Sequence, residues 1–465
     1  GFACLLTSEI KGFSHFGFIG GIGMTLTWLA YHLVLPPLVF FIEKKYPMVS
    51  DGGRVRWNQW RAIFDGLAGV LSRHARGIAV GGLVLALVGI GQFARFLPHS
   101  LEYDFSKLRN RYRDTGQTES AFKSRVTKIF GENTSPSTIL VDRPEQGPDV
   151  CEKVAHVEDD VSVLENRTID KCRSIYDFLP KDQSEKLAEL ARIRSLLADP
   201  SINFAKGKDR AEIDALRRAA SLKRVGIDDL PVQVKRNFMR LDGTLGRFVY
   251  VYPTPDAKLS NGKRLIQFAD HLSAIRLEDG SVFRTSGQSA IFADLLKAVK
   301  KDGPLATVLS FVAVCLLAVL VFRNARSSAY VILGLCLGAF YMFGLQAFAG
   351  IKLNFFNFIA IPVTYGIGID YGVNLYQRYL HEKDILSALR ETGSAILLCS
   401  ITTFISYATL LTAQNQALVS FGWLAILGEV GCLFASLVTM PAILLMWKRR
   451  RSDDQLERPK AAEAS

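Results

Sequence analysis

The 465-residue chain has no Gly-rich phosphate loop with Lys-Ser/Thr, no Gly-x-Ser-x-Gly elbow and no His-Glu-x-x-His pair. It therefore lacks the usual constellations of an NTPase, a serine hydrolase or a zinc protease. Without a nucleotide site, uphill work has to draw on an ion gradient. The seven cysteines include no Cys-x-x-Cys pair and no Cys/His metal spacing, so no metal or cofactor is expected. Methionine is scarce, six residues without a cluster, which argues against export of a soft metal such as copper or silver. No signal peptide is recognisable. The chain opens on Gly1 inside an apolar segment, and the expectation is a fragment with more sequence upstream.

What is present is apolar and basic at once. Hydrophobic residues make up 49%, mean hydropathy is +0.18 and net charge is +12. That mixture fits membrane spans joined to an aqueous domain. Apolar runs of membrane length occupy 16–42, 77–97, 305–322, 328–350, 355–379, 394–411 and 419–447, with residues 1–7 as the end of another. The connections containing Arg54 to Arg76, Arg323/Arg326, Arg378/Arg390 and Lys448/Arg449 are basic, whereas 351–354 and 413–417 carry only Lys352. Positive-inside logic puts the basic set and the C-terminus in the cytoplasm and 98–303 outside, in the periplasm of a bacterial inner-membrane protein. The excess positive charge is thus a topology signal, and no nucleic acid partner is expected.

An internal repeat runs through the chain. At a constant offset of 405, Ala3, Leu5, Leu6, Thr7, Phe16, Gly17, Gly23, Ala30 and Pro36 fall on Ala408, Leu410, Leu411, Thr412, Phe421, Gly422, Gly428, Ala435 and Pro441. Duplicated halves are typical of secondary transporters. The expected organisation follows. Residues 1–43 are the last two transmembrane helices of a first repeat, 44–76 a cytoplasmic basic linker and 77–97 a span. Residues 98–303 form a periplasmic α+β domain, 304–447 a five-helix bundle and 448–465 a cytoplasmic tail.

In the aqueous region, 137–141 and 248–252 look like strands, the latter with clean apolar alternation, while 153–165, 184–197, 210–222 and 263–275 show helical spacing. Residues 184–222 form a charged helical hairpin, and 287–300 an amphipathic helix feeding into the 305 span. Cys151 and Cys172 both fall here, as a disulfide or as two free thiols.

The stretch 355–379, FFNFIAIPVTYGIGIDYGVNLYQRY, holds a carboxylate in the middle of an apolar run. A charge there costs roughly 2.5–3.5 kcal/mol on insertion scales. Asp370 is the candidate proton site with Tyr371 beside it as relay partner; a structural Asp bonded to a neighbouring helix is the alternative. Asn374, a candidate relay support, and Gly366, a candidate packing glycine, share its face at i±4. Gly368 and Gly372 permit close helix approach, and Pro362 can open the helix locally. From the following span, Thr402, Thr403 and Ser406 are candidate relay supports, with Ser400 on the Thr403 face; ordinary helix packing is the competing reading. Glu429, at the place of Met24 in the first copy, is a candidate second carboxylate.

The architecture and the segment GIGIDYGVNLYQRY resemble the resistance–nodulation–division superfamily, and most closely its MMPL branch of lipid exporters and hopanoid transporters. That branch shows Gly-x-x-x-Asp-Tyr on the fourth span of each half, matched here by Gly366, Asp370 and Tyr371. The drug-efflux branch usually has paired aspartates at that place. LEYDFSKLRNR at 101–111 also resembles the opening of an MMPL porter domain. The resemblance implies an α-helical membrane bundle of about seven full spans plus the end of an eighth, with one α+β porter-type domain and a truncated first half. It implies no enzyme but a proton antiporter driven by the proton-motive force, exporting lipids or other hydrophobic molecules. Its implied partners are protons, membrane lipid or hydrophobic substrate, the missing N-terminal half, and a second copy or a periplasmic protein. A lipid- or sterol-sensing receptor of the same fold and a protein-translocation accessory are the alternatives.

Overall fold

The computed structural model describes residues 2–8, 10–45, 54–108, 110, 122, 125–126, 129, 135–159, 167–200, 202, 207–254, 257–273, 275–277 and 280–448, with the backbone alone for 54–61. The tail from 449, residues 46–53 of the expected linker and most of 111–134 lie outside these. In chain order the helices are α1 (Lys11–Leu33), α2 (Leu35–Lys45), α3 (Arg54–Phe96), α4 (Gly147–His156), α5 (Gln183–Leu196), α6 (Lys208–Ala220), α7 (Gly262–Ser273), α8 (Gln288–Phe322), α9 (Ala325–Phe348), α10 (Ala360–Glu382), α11 (Ile385–Thr409) and α12 (Gln416–Phe434). The strands are β1 (Ser137–Leu140), β2 (Ile169–Arg173), β3 (Phe248–Pro253) and β4 (Arg284–Ser286). Contacts divide the chain into two units, Gly1–Gly116 with Leu295–Ser465, and Gln117–Asp294.

The first unit is a helix bundle. Six of its helices are long and apolar enough to cross a membrane, or seven if α1 and α2, bent by 40° at Val34, count as one span. α9 lies at its centre, with Val331, Leu335, Gly338 and Met342 buried. Small residues bring the backbones together: a Cβ on Gly344 would stand 2.6 Å from the Cα of Gly89 on α3, and a Cβ on Gly338 2.8 Å from Cys432 Sγ. In a bundle surrounded by lipid this close contact, rather than water exclusion, holds helices together. Asn324, Asp384 and Asn415 accept hydrogen bonds from Arg326, Ser387 and Ala417 N–H and so start α9, α11 and α12. After Phe434 the last helix makes one π turn, Ala435–Thr439, and runs on to Lys448. The expected amphipathic helix and the 305 span are one helix, α8. Pro362 sits in the first turn of α10, where a missing N–H breaks no regular helical bond, so the expected local opening does not occur.

The second unit is built on a four-stranded antiparallel sheet in the order β2-β3-β1-β4. Ile139, Val249 and Val251 point from the sheet onto Val150 and Val154 of α4 and Phe268 and Leu272 of α7. Cys151 on α4 and Cys172 on β2 form a disulfide. Beyond α4 the buried carboxylate of Glu158 accepts bonds from the Thr168 and Ile169 N–H groups, from the Thr168 hydroxyl and from His271 Nδ1 at 3.0 Å. Burial works against its charged form, but the Thr168 hydroxyl, those two N–H groups and His271 outweigh it and hold the carboxyl below its ordinary 4.5. α5 and α6 pack as a hairpin, with Arg194 Nη2 on Ala220 O at 2.6 Å.

Candidate functional site

Successive residues of a helix point about 100° apart. On α10 this separates Asp370 from Tyr371. Tyr371 is buried, and its hydroxyl donates to Oε1 of the buried Glu429 on α12. The Ser400 hydroxyl of α11, buried as well, lies beside both side chains. Three helices therefore converge on one polar cluster inside an apolar bundle. Here the Tyr371 hydroxyl satisfies a carboxylate that has no ion pair among the described residues.

Asp370 lies on the opposite, outer side of α10 and is exposed, as are Asn374 one turn on and Gln377 and Arg378 beyond it. Among the described residues, Asp370 has no hydrogen-bond or ion-pair partner. A carboxylate at the midpoint of a membrane-length helix is thus left open on one face of the bundle. The small residues position it. A Cβ on Gly368 would collide with Cys432 Sγ, so α10 lies hard against α12. Gly372 stands at ordinary distance from Val331, and Gly366 is half-buried. Rotation of α10 is thereby set by Gly368 and Tyr371 on the inner side, and Asp370 takes the outer one.

A match to the model of the MMPL family spans residues 123–462. The chain belongs to the MMPL family. Among curated relatives, the hopanoid transporter HpnN of Rhodopseudomonas palustris is 24% identical, the alignment covering 98% of this chain and 55% of that protein. HpnN of Burkholderia multivorans is 20% identical over the same shares, 98% and 55%. The chain thus spans about half the length of these relatives. Among solved structures, a heavy metal efflux pump is similar at a TM-score of 0.38 and 12% identity, covering 84% of this chain and 49% of that one.

The other MMPL-chain residues singled out by sequence fall apart in space. Thr402 and Ser406 are exposed and Thr403 is half-buried. Thr402 and Thr403 donate to Cys399 O at 2.7 and 3.0 Å, and Ser406 to Thr402 O at 2.9 Å, so these hydroxyls serve their own helix. Ser400, left out of the support set, is the α11 hydroxyl that reaches the cluster. Its signal was its spacing with Gly393 and Ile396, the small and apolar positions that α11 buries. Also unforeseen is a second polar cluster at the end of the bundle where α12 begins. There Asn354 and Asn357 both donate to Ser420 Oγ, at 3.1 and 2.7 Å.

Proposed function

We propose that this chain is half of a proton-driven transporter that exports lipids or other hydrophobic molecules, with the sheet-containing unit outside the inner membrane and the basic connections in the cytoplasm. The observation that carries it is Asp370: a carboxylate at mid-span, without a partner among the described residues, on the face left for another. Such a group loads a proton when the facing surface is dry and releases it when water enters, which links proton flux to movement between bundles. Tyr371 is tied to Glu429 beside Ser400 and acts as the pin that keeps Asp370 outward, so we assign the proton to Asp370 and positioning to Tyr371. The Cys151–Cys172 disulfide supports the outside location, since such bonds persist in oxidising compartments. Residues 1–43 are then the end of the first half. The lipid substrate follows from the kinship with hopanoid transporters.

Proteoliposomes of the full-length protein with an imposed proton gradient test this. Asp370→Asn should reduce lipid export to the level of protein-free vesicles and leave the unfolding midpoint unchanged. Export at the parental rate would overturn the assignment and favour a sensing role.

A further inference from the structure

A cavity of about 240 Å³ opens at the end of the bundle opposite the Arg323/Arg326 turn. Its walls come from the α9–α10 connection (Ile351, Lys352), the first turns of α12 (Ser420, Trp423) and the short helix Phe105–Leu108 with its Lys107. The parts are clamped together: Leu353 N donates to Ser100 O at 2.5 Å, and Glu102 N to Leu353 O at 2.7 Å. Most of the polar groups are held by neighbours, and Gln416, which also lines the cavity, donates Nε2 to Gln414 O at 3.2 Å. Asn354 Oδ1 accepts from the Phe356 and Asn357 N–H groups, and Asn357 Oδ1 accepts from Asn354 N–H. Both carbonyl oxygens are pinned by backbone donors, so both NH2 groups are fixed toward Ser420. Ser420 Oγ receives two donors and has its lone pairs filled. Its own proton finds no acceptor among the described residues, and Ser420 lines the cavity. Lys107 Nζ is paired with Glu102 at 3.4 Å, whose other oxygen accepts from Asp104 N–H. Lys352 has no such partner among the described residues. The polar wall thus offers one unneutralised ammonium and a hydroxyl obliged to donate. Beside them stand apolar side chains and a half-exposed indole of the kind that settles at the membrane–water interface.

We propose that this cavity binds the phosphate group of a membrane lipid headgroup. Lys352 and Ser420 donate to the phosphate oxygens, and the acyl chains run down the apolar surface beside Trp423. The volume falls below the roughly 300–1,000 Å³ of sites that enclose a whole ligand, and it suits a headgroup whose tails stay in the bilayer. This site is independent of Asp370 and of transport.

Native mass spectrometry of the detergent-purified full-length protein with short-chain phosphatidylglycerol tests it. One saturable lipid adduct is expected. Lys352→Gln should weaken it about tenfold, as loss of one charge-assisted bond implies, and Lys352→Arg should retain it. Lys107→Gln should change it less. Diacylglycerol of the same chain length, lacking phosphate, should not bind. Equal adducts for the parent and Lys352→Gln, or equal binding of diacylglycerol, would overturn the proposal. Inorganic phosphate binding as tightly as the phospholipid would overturn the assignment to a lipid.

Discussion

Residues 2–33 and 407–438 carry one construction in two settings. Each has a 3-10 segment before its long helix, Phe2–Thr7 in one and Leu410–Thr412 in the other, and begins that helix at the same register, Lys11 and Gln416. Thr7 Oγ1 donates to Cys4 O, and Thr412 Oγ1 to Thr409 O. Phe2 meets Phe16 at 5.9 Å between ring centroids, and Tyr407 meets Phe421 at 6.2 Å. A Cβ on Gly17 would press on Phe2 O and Leu5 Cβ, and one on Gly422 on Tyr407 O and Leu410 Cβ. Further along, the two copies part. Leu424 and Glu429 are 0% and 3% exposed, while their counterparts Ile19 and Met24 are 70% and 61% exposed. Local geometry is therefore written into each copy, whereas the value of the outer positions depends on which helices lie beside them. α12 has α9, α10 and α11 beside it, and along the corresponding face α1 is bare among the described residues.

That contrast can be broken most strongly at the paired glycines 23 and 428. A Cβ on Gly428 would stand 2.6 Å from Thr364 Oγ1 and 2.9 Å from Met342 Sδ, whereas one on Gly23 meets nothing within 4 Å. Gly428→Val should cost about 3 kcal/mol in denaturant unfolding, the upper end for overpacking. Gly23→Val should stay within about 0.5 kcal/mol. Equal costs would mean that the α1 face is covered in solution. The next contrast is chemical. Tyr371→Phe leaves Glu429 short of a donor and should cost about 1–2 kcal/mol. The double variant with Glu429→Gln should cost less than the two single changes combined, because they share one bond; full additivity would dissolve the cluster. The smallest effect separates a satisfied carboxylate from an open one. Glu158 is held below 4.5 in the folded chain, so its contribution is complete above that pH and is lost as pH falls through the folded value. The protection factor of the Ile169 amide, its exchange rate corrected for the intrinsic slowing of amide exchange in acid, should therefore drop on acidification below 4.5 by about tenfold per pH unit at most. In Glu158→Gln that added dependence should vanish. A parental profile in the variant would assign the effect to another group.

The membrane-length apolar helices and the two carboxylates within them were legible because a charge in a long apolar run stands out against its surroundings. The face each residue takes was not. Asp370 and Tyr371 adjoin in sequence and part in space, and Glu429 was seen as a carboxylate but not as the partner of Tyr371, which a contact 58 residues away decides. Hydroxyls were harder still. Thr402, Thr403, Ser406 and Ser400 look equivalent in the sequence, and only the burial of one stripe of α11 separates Ser400 from the others. In the second unit β3 announced itself by alternation and β1 by a short run rich in β-branched residues. β2, IDKCR, is polar enough to pass for loop and becomes a strand by pairing with β3 and by the Cys172 bond.

The aligned prolines 36 and 441 give the two copies one last difference. Upstream of Pro36 the chain breaks at Val34 and turns by 40°; upstream of Pro441 the counterpart residue, Thr439, closes a π turn and the helix goes on. Both relieve the hydrogen bond that proline cannot make. Thr439 is buried and meets the Tyr341 hydroxyl at 3.0 Å, which itself donates to Gly82 O; Val34 is exposed. The proline thus dictates only that the spiral must yield. Neighbouring helices decide whether it yields by widening or by turning, so the angle at this joint is governed from outside the helix that contains it.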